Sequence, residues 1–250
     1  MTSWTMRLIA ANVIVYLLNM LAPGLTPAMM LVPADVFVRP WTIVTYMFMH
    51  ANLTHILFNM LGLFFFGPRL ELELGGKRFL LLYFISGISG GALSFLFTPY
   101  SAIVGASGAV FGVFLGFAYF WPRERIYIWG VLPVESRILV IIMTLLSLYG
   151  GLGGGGSDIA HFAHLGGFVG AYLYLKWVDK HSPQAVMMKA MTPPNPSRNA
   201  IERWGKIDRE KLHEVNRAEL DRIREKMGKT GAGRLTEQEI SFLNRFSEEL

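Results

Sequence analysis

Long apolar runs, separated by short polar or glycine-rich breaks, fill residues 1–180 of this chain. Six of them approach the length of about 20 residues that a helix needs to cross a bilayer. They are Trp4–Ala22, Leu53–Gly67, Arg78–Phe97, Val104–Trp121, Val134–Tyr149 and Ile159–Val178. The second and fifth runs are short, so we expect their ends to extend into the flanks or to sit in thinned bilayer. The pattern predicts an all-α membrane protein with six transmembrane helices.

The segment between the first two runs is long and only weakly polar. Its stretches Val32–Phe37 and Trp41–Met49 are too short to span a bilayer and too apolar to project into water. Segments of this kind lie in the membrane interface, where Trp and Tyr favour the headgroup level. We therefore expect a partly embedded first outer loop with Trp41 and Tyr46 at the interface, and a plain spacer loop is the alternative.

Composition and charge support a membrane protein and exclude nucleic-acid binding. Hydrophobic residues make up 52% of the chain and charged residues 16%, which is too apolar for a soluble domain. The net charge is +5, but residues 200–250 are balanced, so the excess lies in residues 1–199. If six spans alternate, those basic residues fall on one side and only Arg39 on the other, which predicts that both termini are cytoplasmic. The chain has no cysteine, which excludes disulfides and thiol chemistry.

The character of the chain changes after Lys180. Prolines punctuate residues 181–199, which we interpret as a linker between a membrane domain, residues 1–180, and a small soluble helical tail, residues 200–250. In the tail, Thr236 followed by Glu239 predicts a capping box at the start of a helix. We expect a helical hairpin without chemistry of its own that docks on a cytosolic partner.

A serine and a histidine interrupt two of the apolar runs. Ser107 stands in Gly105-Ala106-Ser107-Gly108, and His164 stands in Ala163-His164-Leu165-Gly166-Gly167. Polar side chains at membrane depth are costly and are functional hypotheses by default. A nucleophilic serine needs a base within hydrogen-bond reach, and His164 is the candidate, with His161 as its rival. Gly108 and Gly112 would let the fourth span approach the sixth and bring the two together.

His55 and Asn59 lie four residues apart in the second run and therefore on one helix face. Both can donate N–H groups, and with the Ser107 amide they would form an oxyanion hole. The alternative is a polar pair that joins helices. Asp158 could orient a histidine, although a position at the start of a span is more typical of a helix cap.

The histidines could instead form a metal site, and Ser107 could instead belong to the active site of a soluble hydrolase. The pairs His161/His164 and His50/His55 could bind a metal, but the His-Glu-x-x-His motif of helical zinc hydrolases is absent. The nucleophile elbow of soluble hydrolases needs a glycine where Ala109 stands. We expect neither a metal nor another cofactor.

At these positions the chain resembles the rhomboid family of intramembrane serine proteases, over roughly residues 5–180. The matching stretches are His50–Asn59, Gly67–Glu71 with Gly75, Gly105–Gly108 and Ala163–Gly167. The resemblance implies that Ser107 is the nucleophile and His164 the general base of a dyad without an acidic third member. It implies that His55 and Asn59, with the Ser107 amide, form the oxyanion hole.

The resemblance also assigns supporting roles. It implies a structural role for His50, close packing around the dyad at Gly105 and Gly167, and an aromatic contact from Phe111 to the base. Glu71 would steady the cytosolic end of the second span. Many members have Trp-Arg where this chain has Trp41-Thr42, and Ala171 replaces a later glycine. The tail is similar to a short helical extension in some bacterial members. The mixture of motifs suggests a bacterium, so we expect the protein in the bacterial inner membrane.

The function implied is hydrolysis of peptide bonds in or near transmembrane segments, close to the outer face. Single-span or multi-span membrane proteins would be the substrates, within the lipid bilayer. An inactive rhomboid-like protein that binds transmembrane helices and controls their folding or turnover is the alternative. A transporter would need charged residues in mid-span, which the runs lack.

Overall fold

The computed structural model describes residues 3–128, 130–154, 160–182 and 196–247. Contacts divide the chain into two units, Met1–Asp179 and Lys180–Leu250, and each is described by itself. The first unit is mainly helical, with the helices α1 Ser3–Leu21, α2 Leu25–Met29, α3 Thr42–Thr45, α4 Leu53–Leu74, α5 Gly76–Phe97, α6 Ser107–Phe120, α7 Ser136–Tyr149 and α8 His161–Lys180. Single 3-10 turns at Pro33–Asp35 and Tyr46–Phe48 complete the first loop.

Within the described residues, three helices are long and apolar enough to cross a membrane: Trp4–Leu21 in α1, and the whole of α4 and α5. The segments Ser107–Phe120 and Ser136–Leu152 form shorter apolar helices. Apolar side chains on α1, α4 and α7 point away from the protein, among them Leu17, Phe65 and Leu145. Such outward apolar faces are expected where lipid replaces water as the solvent.

The core of the first unit lies between α4, α5, α6 and α8, where small residues bring the helix backbones close. A Cβ on Gly112 would lie 2.0 Å from the Ser86 hydroxyl of α5, and one on Gly167 would lie 2.0 Å from the Gly108 carbonyl of α6. A Cβ on Gly108 would lie 3.1 Å from the Ala163 carbonyl of α8. Gly108 thus packs against α8 as expected, whereas Gly112 packs mainly against α5.

The second predicted span extends as expected, because α4 continues past Gly67 to Leu74. The prediction for the fifth span is wrong at its start, since Val134 belongs to a strand and α7 begins at Ser136. Strands β1 Arg125–Ile128 and β2 Leu132–Glu135 pair as an antiparallel hairpin, with Arg125 opposite Glu135. Gly130, with φ +73°, supplies the turn, and Pro133 disfavours a helix. The first unit is therefore not purely α-helical.

The first outer loop is built into the protein by hydrogen bonds. Leu31 and Ile103 exchange backbone bonds of 3.0 and 2.7 Å, which join it to the segment between α5 and α6. Side chains from the second half of the loop cap the carbonyls at the end of α2: Arg39 to Pro27, Trp41 to Ala28 and Thr45 to Met29.

The prediction that Tyr46 lies at headgroup level is wrong, because the residue is buried in the protein. Its side chain is only 1% exposed, and its hydroxyl donates a 2.7 Å hydrogen bond to the Gly87 carbonyl of α5. The ring fits there because glycines at 90 and 108 leave space beside it. Trp41, by contrast, is 53% exposed.

Glu71 is buried and ties α4 to the start of α1. Its carboxylate accepts hydrogen bonds from the backbone N–H groups of Trp4 and Thr5, at 3.1 and 2.9 Å, and from the Thr5 hydroxyl at 2.8 Å. The first N–H groups of a helix have no intrahelical partner, and an acidic group there is favoured by the helix dipole. Glu71 therefore stabilises the beginning of α1.

The glycine-rich run after α7 begins in helical conformation. Gly150–Gly154 continues the helix as a π-helical turn. A Cβ on Gly150 would lie 2.2 Å from the His161 ring, so glycine allows this turn to pack on α8. Asp158 lies outside the described residues.

Among its described residues, the second unit has the helices α9 Arg198–Gly205, α10 Glu214–Thr230 and α11 Glu237–Ser247, where a hairpin of two was expected. Trp204 of α9 is 2% exposed and packs with Leu220, Ile223 and Leu243, which explains the third helix. The predicted capping box is confirmed, because Thr236 N–H donates to the Glu239 carboxylate at 2.7 Å and Glu239 N–H donates to the Thr236 hydroxyl at 3.3 Å. Most of the predicted linker, residues 183–195, lies outside the described residues.

Candidate active site

Ser107 is the first residue of α6. The apolar run Val104–Trp121 had instead predicted a continuous span through this position. The chain before it cannot be helical, because Gly105 has a φ of +121°. The Gly105 N–H donates a 2.9 Å hydrogen bond to the Tyr46 carbonyl, which holds the segment before Ser107 against the first loop. At the first helical position the Ser107 N–H is one of the donors that the helix itself leaves unused. The preceding residue, Ala106, provides no capping side chain.

His164 lies in the first turn of α8 and faces Ser107. Its Nε2 lies 2.8 Å from the Ser107 Oγ, a normal hydrogen-bond distance. The histidine is 9% exposed, whereas the serine is partly open. The pair can approach because Gly167 lies against the backbone of Gly108. A serine whose hydroxyl meets an imidazole is the arrangement that general-base activation requires.

Two aromatic neighbours surround the His164 ring. Phe111, one turn after Ser107, stacks on it with the centroids 4.0 Å apart and an angle of 21° between the planes. His161 meets it edge-on, with the centroids 6.3 Å apart. The imidazole is therefore oriented by ring packing from α6 and from its own helix.

His55 and Asn59 lie in the first two turns of α4. Asn52 caps this helix by accepting the His55 N–H at 2.8 Å, and the His55 ring reaches Gly105. A Cβ on Gly105 would lie 2.5 Å from the His55 Nε2, so only glycine fits between the ring and Ser107. Asn59 is buried, and its Nδ2 donates to the His55 carbonyl at 3.0 Å. A carboxamide carries two N–H donors, so this bond leaves the second available.

His50 supports the same segment from the first loop. Its Nε2 faces the Ala106 N–H at 3.5 Å, the limit of a hydrogen bond, and its ring meets His55 edge-on at 5.1 Å. The structure thus brings His50, His55, Gly105, Ser107 and His164 into one region. Among the described residues, the His, Asp and Glu side chains form no group of three that could hold a metal.

The sequence pattern of the Rhomboid domain matches residues 38–179, more than half of the chain. This chain belongs to the rhomboid family. Rhomboid membership and the long apolar helices together make it an integral, multi-pass membrane protein.

Proteins similar to this chain occur in several organisms. Rhomboid-like protease 3 of Toxoplasma gondii is 32% identical over 56% of this chain and 52% of its own length. RHOMBOID-like protein 2 of Arabidopsis thaliana is 37% identical over 52% of this chain and 39% of its own, and Rhomboid protease GluP of Bacillus subtilis is 35% identical over 53% and 25%. The rhomboid chain thus spans about half or less of the length of these relatives.

Sequence reasoning missed the contribution of Tyr46 to the site of this rhomboid. Its carbonyl holds the Gly105 N–H and its hydroxyl reaches α5, so it links three elements around Ser107. The residue stands in an evenly apolar stretch, where a buried tyrosine and an interfacial one give the same pattern.

Proposed function

We propose that this rhomboid is an intramembrane serine endopeptidase in which Ser107 is the nucleophile and His164 the general base. The observation that carries the proposal is the 2.8 Å distance between the Ser107 Oγ and the His164 Nε2 in the membrane unit. The protease names of two of the relatives support the same reaction class. No acidic third member is required, because Phe111 orients the imidazole by stacking.

The reaction begins when His164 Nε2 takes the proton of the Ser107 hydroxyl and the Oγ attacks the substrate carbonyl. The negative charge on the carbonyl oxygen is stabilised by the Ser107 N–H, by the second N–H of Asn59 and by His55. His164 then gives its proton to the departing amine as the peptide bond breaks. Water, activated by His164, hydrolyses the acyl-enzyme and restores the serine.

We propose that six helices cross the membrane, α1 and α4–α8, with both termini in the cytoplasm of a bacterium. The 20 residues of α8 are long enough to span, whereas the 14 residues of α6 cover about 21 Å of a core that is about 30 Å thick. The far end of α6 is followed by arginines 123 and 125, which supports a cytoplasmic position for that end. Ser107 then lies about 10 Å below the outer surface, beside a first loop that is partly embedded.

A substrate has to unfold locally to be cut at this depth. The peptide groups of a transmembrane helix are hydrogen-bonded within the helix, which shields their carbonyls from attack. Segments with small or helix-breaking residues near the outer face open most readily. We therefore propose transmembrane segments of single-span or multi-span membrane proteins as substrates.

The second unit has no assigned chemistry. We propose that it lies in the cytoplasm, joined to the membrane domain 1–180 by the linker 181–199, and that the tail 200–250 docks on a cytosolic partner. Its own hydrophobic core around Trp204 supports the view that it folds as a separate unit.

Cleavage of a model substrate tests the proposal. Purified wild type, Ser107→Ala, His164→Ala and His161→Ala are placed in liposomes with a tagged single-span protein that has a Gly/Ala-rich outer end. Wild type and His161→Ala cut it, and the other two variants do not. Ser101→Ala, at an exposed serine of the preceding loop, is the matched control and remains active. Cleavage by Ser107→Ala would contradict the proposal, and substrate binding without cleavage by wild type would favour an inactive helix-binding protein.

A further inference from the structure

An apolar groove of about 240 Å³ lies between the first outer loop and α5. The loop contributes Leu31, Val36 and Phe37, and the helix contributes Ile88, Gly91 and Phe95. The lining side chains carry no charged or hydrogen-bonding group. An apolar cavity of this kind does not hold ordered water, so it takes an apolar ligand or stays empty.

The position of the groove along α5 sets its depth in the membrane. The 22 residues of α5 extend for about 33 Å, close to the thickness of the hydrocarbon core, and the groove follows the second half of the helix, from Ile88 to Phe95. The groove therefore faces lipid tails of one leaflet rather than water. Its rim is open, because Phe37 is 83% exposed and Phe95 is 40% exposed. Their rings meet edge-on at 6.0 Å across the gap between loop and helix.

The size of the groove discriminates between possible occupants. A second helix, about 10–12 Å across, does not fit into a volume of about 240 Å³. An apolar cavity of about 150 Å³ takes up a benzene molecule, so a groove of about 240 Å³ has room for a longer apolar group. A linear chain of methylene groups is an apolar group of this kind. We infer that this groove binds one acyl chain of a membrane phospholipid.

The groove is connected to residues 103–107, the segment that leads into Ser107, through Leu31. Leu31 lines it, is fully buried, and pairs through its backbone with Ile103, two residues before Gly105. On the helix side, a Cβ on Gly91 would lie 2.8 Å from the Leu31 side chain and 2.5 Å from that of Ile43. A bound acyl chain thus supports the loop from outside, while α5 supports it from within.

Photolabelling tests the inference without any use of cleavage. The full chain is placed in phosphatidylcholine liposomes that contain a phosphatidylcholine with a diazirine midway along one acyl chain. After illumination, the labelled residues are mapped by mass spectrometry. We expect several-fold higher labelling of residues 31–43 and 88–95 than of the exposed face of α7 at Ile141 and Leu145, which touches lipid without a groove.

Two variants on the same helix make the test specific. Ala92→Trp fills the groove, whereas Leu96→Trp adds the same ring one turn away at a residue outside it. Ala92→Trp should lose most of the groove labelling and Leu96→Trp should keep it. Ala92→Leu replaces the first variant if thermal unfolding shows that it misfolds. Labelling no higher than on α7, or equal in the two variants, would overturn the inference.

Discussion

The ring of Phe111 lies almost flat on the ring of His164, with the centroids 4.0 Å apart. Aromatic contacts of this kind contribute about 0.5–1.5 kcal/mol beyond the area that they bury. In the proposed dyad, which has no carboxylate, this contact and the edge-on contact of His161 keep Nε2 directed at the Ser107 Oγ. Phe111 therefore connects the helix of Ser107 to the orientation of the proposed base.

Removal of that ring should slow the chemical step. We expect Phe111→Ala to lower kcat by about threefold to tenfold, the equivalent of about 1 kcal/mol, with little change in KM. Phe111→Tyr keeps the stack and should retain most of the activity. Steady-state kinetics with a single-span substrate check both variants, and an unchanged kcat in Phe111→Ala would remove Phe111 from the site.

Gly105 should tolerate no side chain. Its φ of +121° is strained for any other residue, and a Cβ would collide with the His55 ring at 2.5 Å. We expect Gly105→Ala to lower kcat/KM by about 10²-fold, as the loss of an oxyanion donor would, because His55 or the Ser107 segment must move. Gly24→Ala is the control, since nothing lies within 4 Å of its added methyl group. Equal activity of the two variants in the cleavage assay would refute this account of Gly105.

The two site residues illustrate what the sequence could and could not predict. Apolar runs and glycine spacing were enough to expect Ser107 near His164, and the structure places them 2.8 Å apart. The position of Ser107 at a helix start was not predictable, because Val104–Trp121 is evenly apolar. It depends on the conformation of Gly105, which is set by contacts with Tyr46 and His55 far away in the chain.

The same distinction applies to the fold. Features set by neighbouring residues could be predicted, and features set by residues far away in the chain could not. The capping box at Thr236 is local, so its residues could be identified directly from the sequence. The hairpin of β1 and β2 was missed, because each strand has only four residues and Val134 was counted with the apolar run of α7. The burial of Tyr46 depends on glycines in α5 and α6, which no local pattern relates to it.

Glu71 should matter for stability more than for chemistry. Three hydrogen bonds from the start of α1 end on its buried carboxylate, and bonds to charged groups contribute about 1.5–3 kcal/mol. We expect Glu71→Ala to lower the free energy of unfolding by about 2 kcal/mol or more, seen as a lower Tm in detergent. Glu73→Ala, at an exposed position of the same helix, should leave the Tm almost unchanged. Matching Tm values for the two variants would argue against the capping role.

The second unit should lose stability in acid through Glu239. Burial alone would raise the pKa of Glu239, but hydrogen bonds from Lys226, the Thr236 N–H and Arg222 outweigh it and lower the pKa to about 2. An unfolded glutamate has a pKa of about 4.3, so the stabilisation is complete above that pH and is lost as the pH falls towards about 2.

Pepsin, which works in acid, can report this loss in the full chain. At pH 5, cleavage within residues 214–247 should be slower in wild type than in Glu239→Gln, which lacks the charge. As the pH falls to 2 the difference should largely disappear. A ratio of the two rates that stays constant over this range would show that Glu239 does not stabilise the unit through its ionised form.

The most direct measurement of the central claim is covalent labelling of Ser107 by a fluorophosphonate, which reacts with activated serines. The full chain in liposomes is labelled, digested and mapped by mass spectrometry, with Ser107→Ala and His164→Ala alongside. We predict one adduct, on Ser107 of the wild type, and none in either variant. An adduct on another serine, or equal labelling of Ser107 when His164 is replaced, would contradict a nucleophile activated by His164.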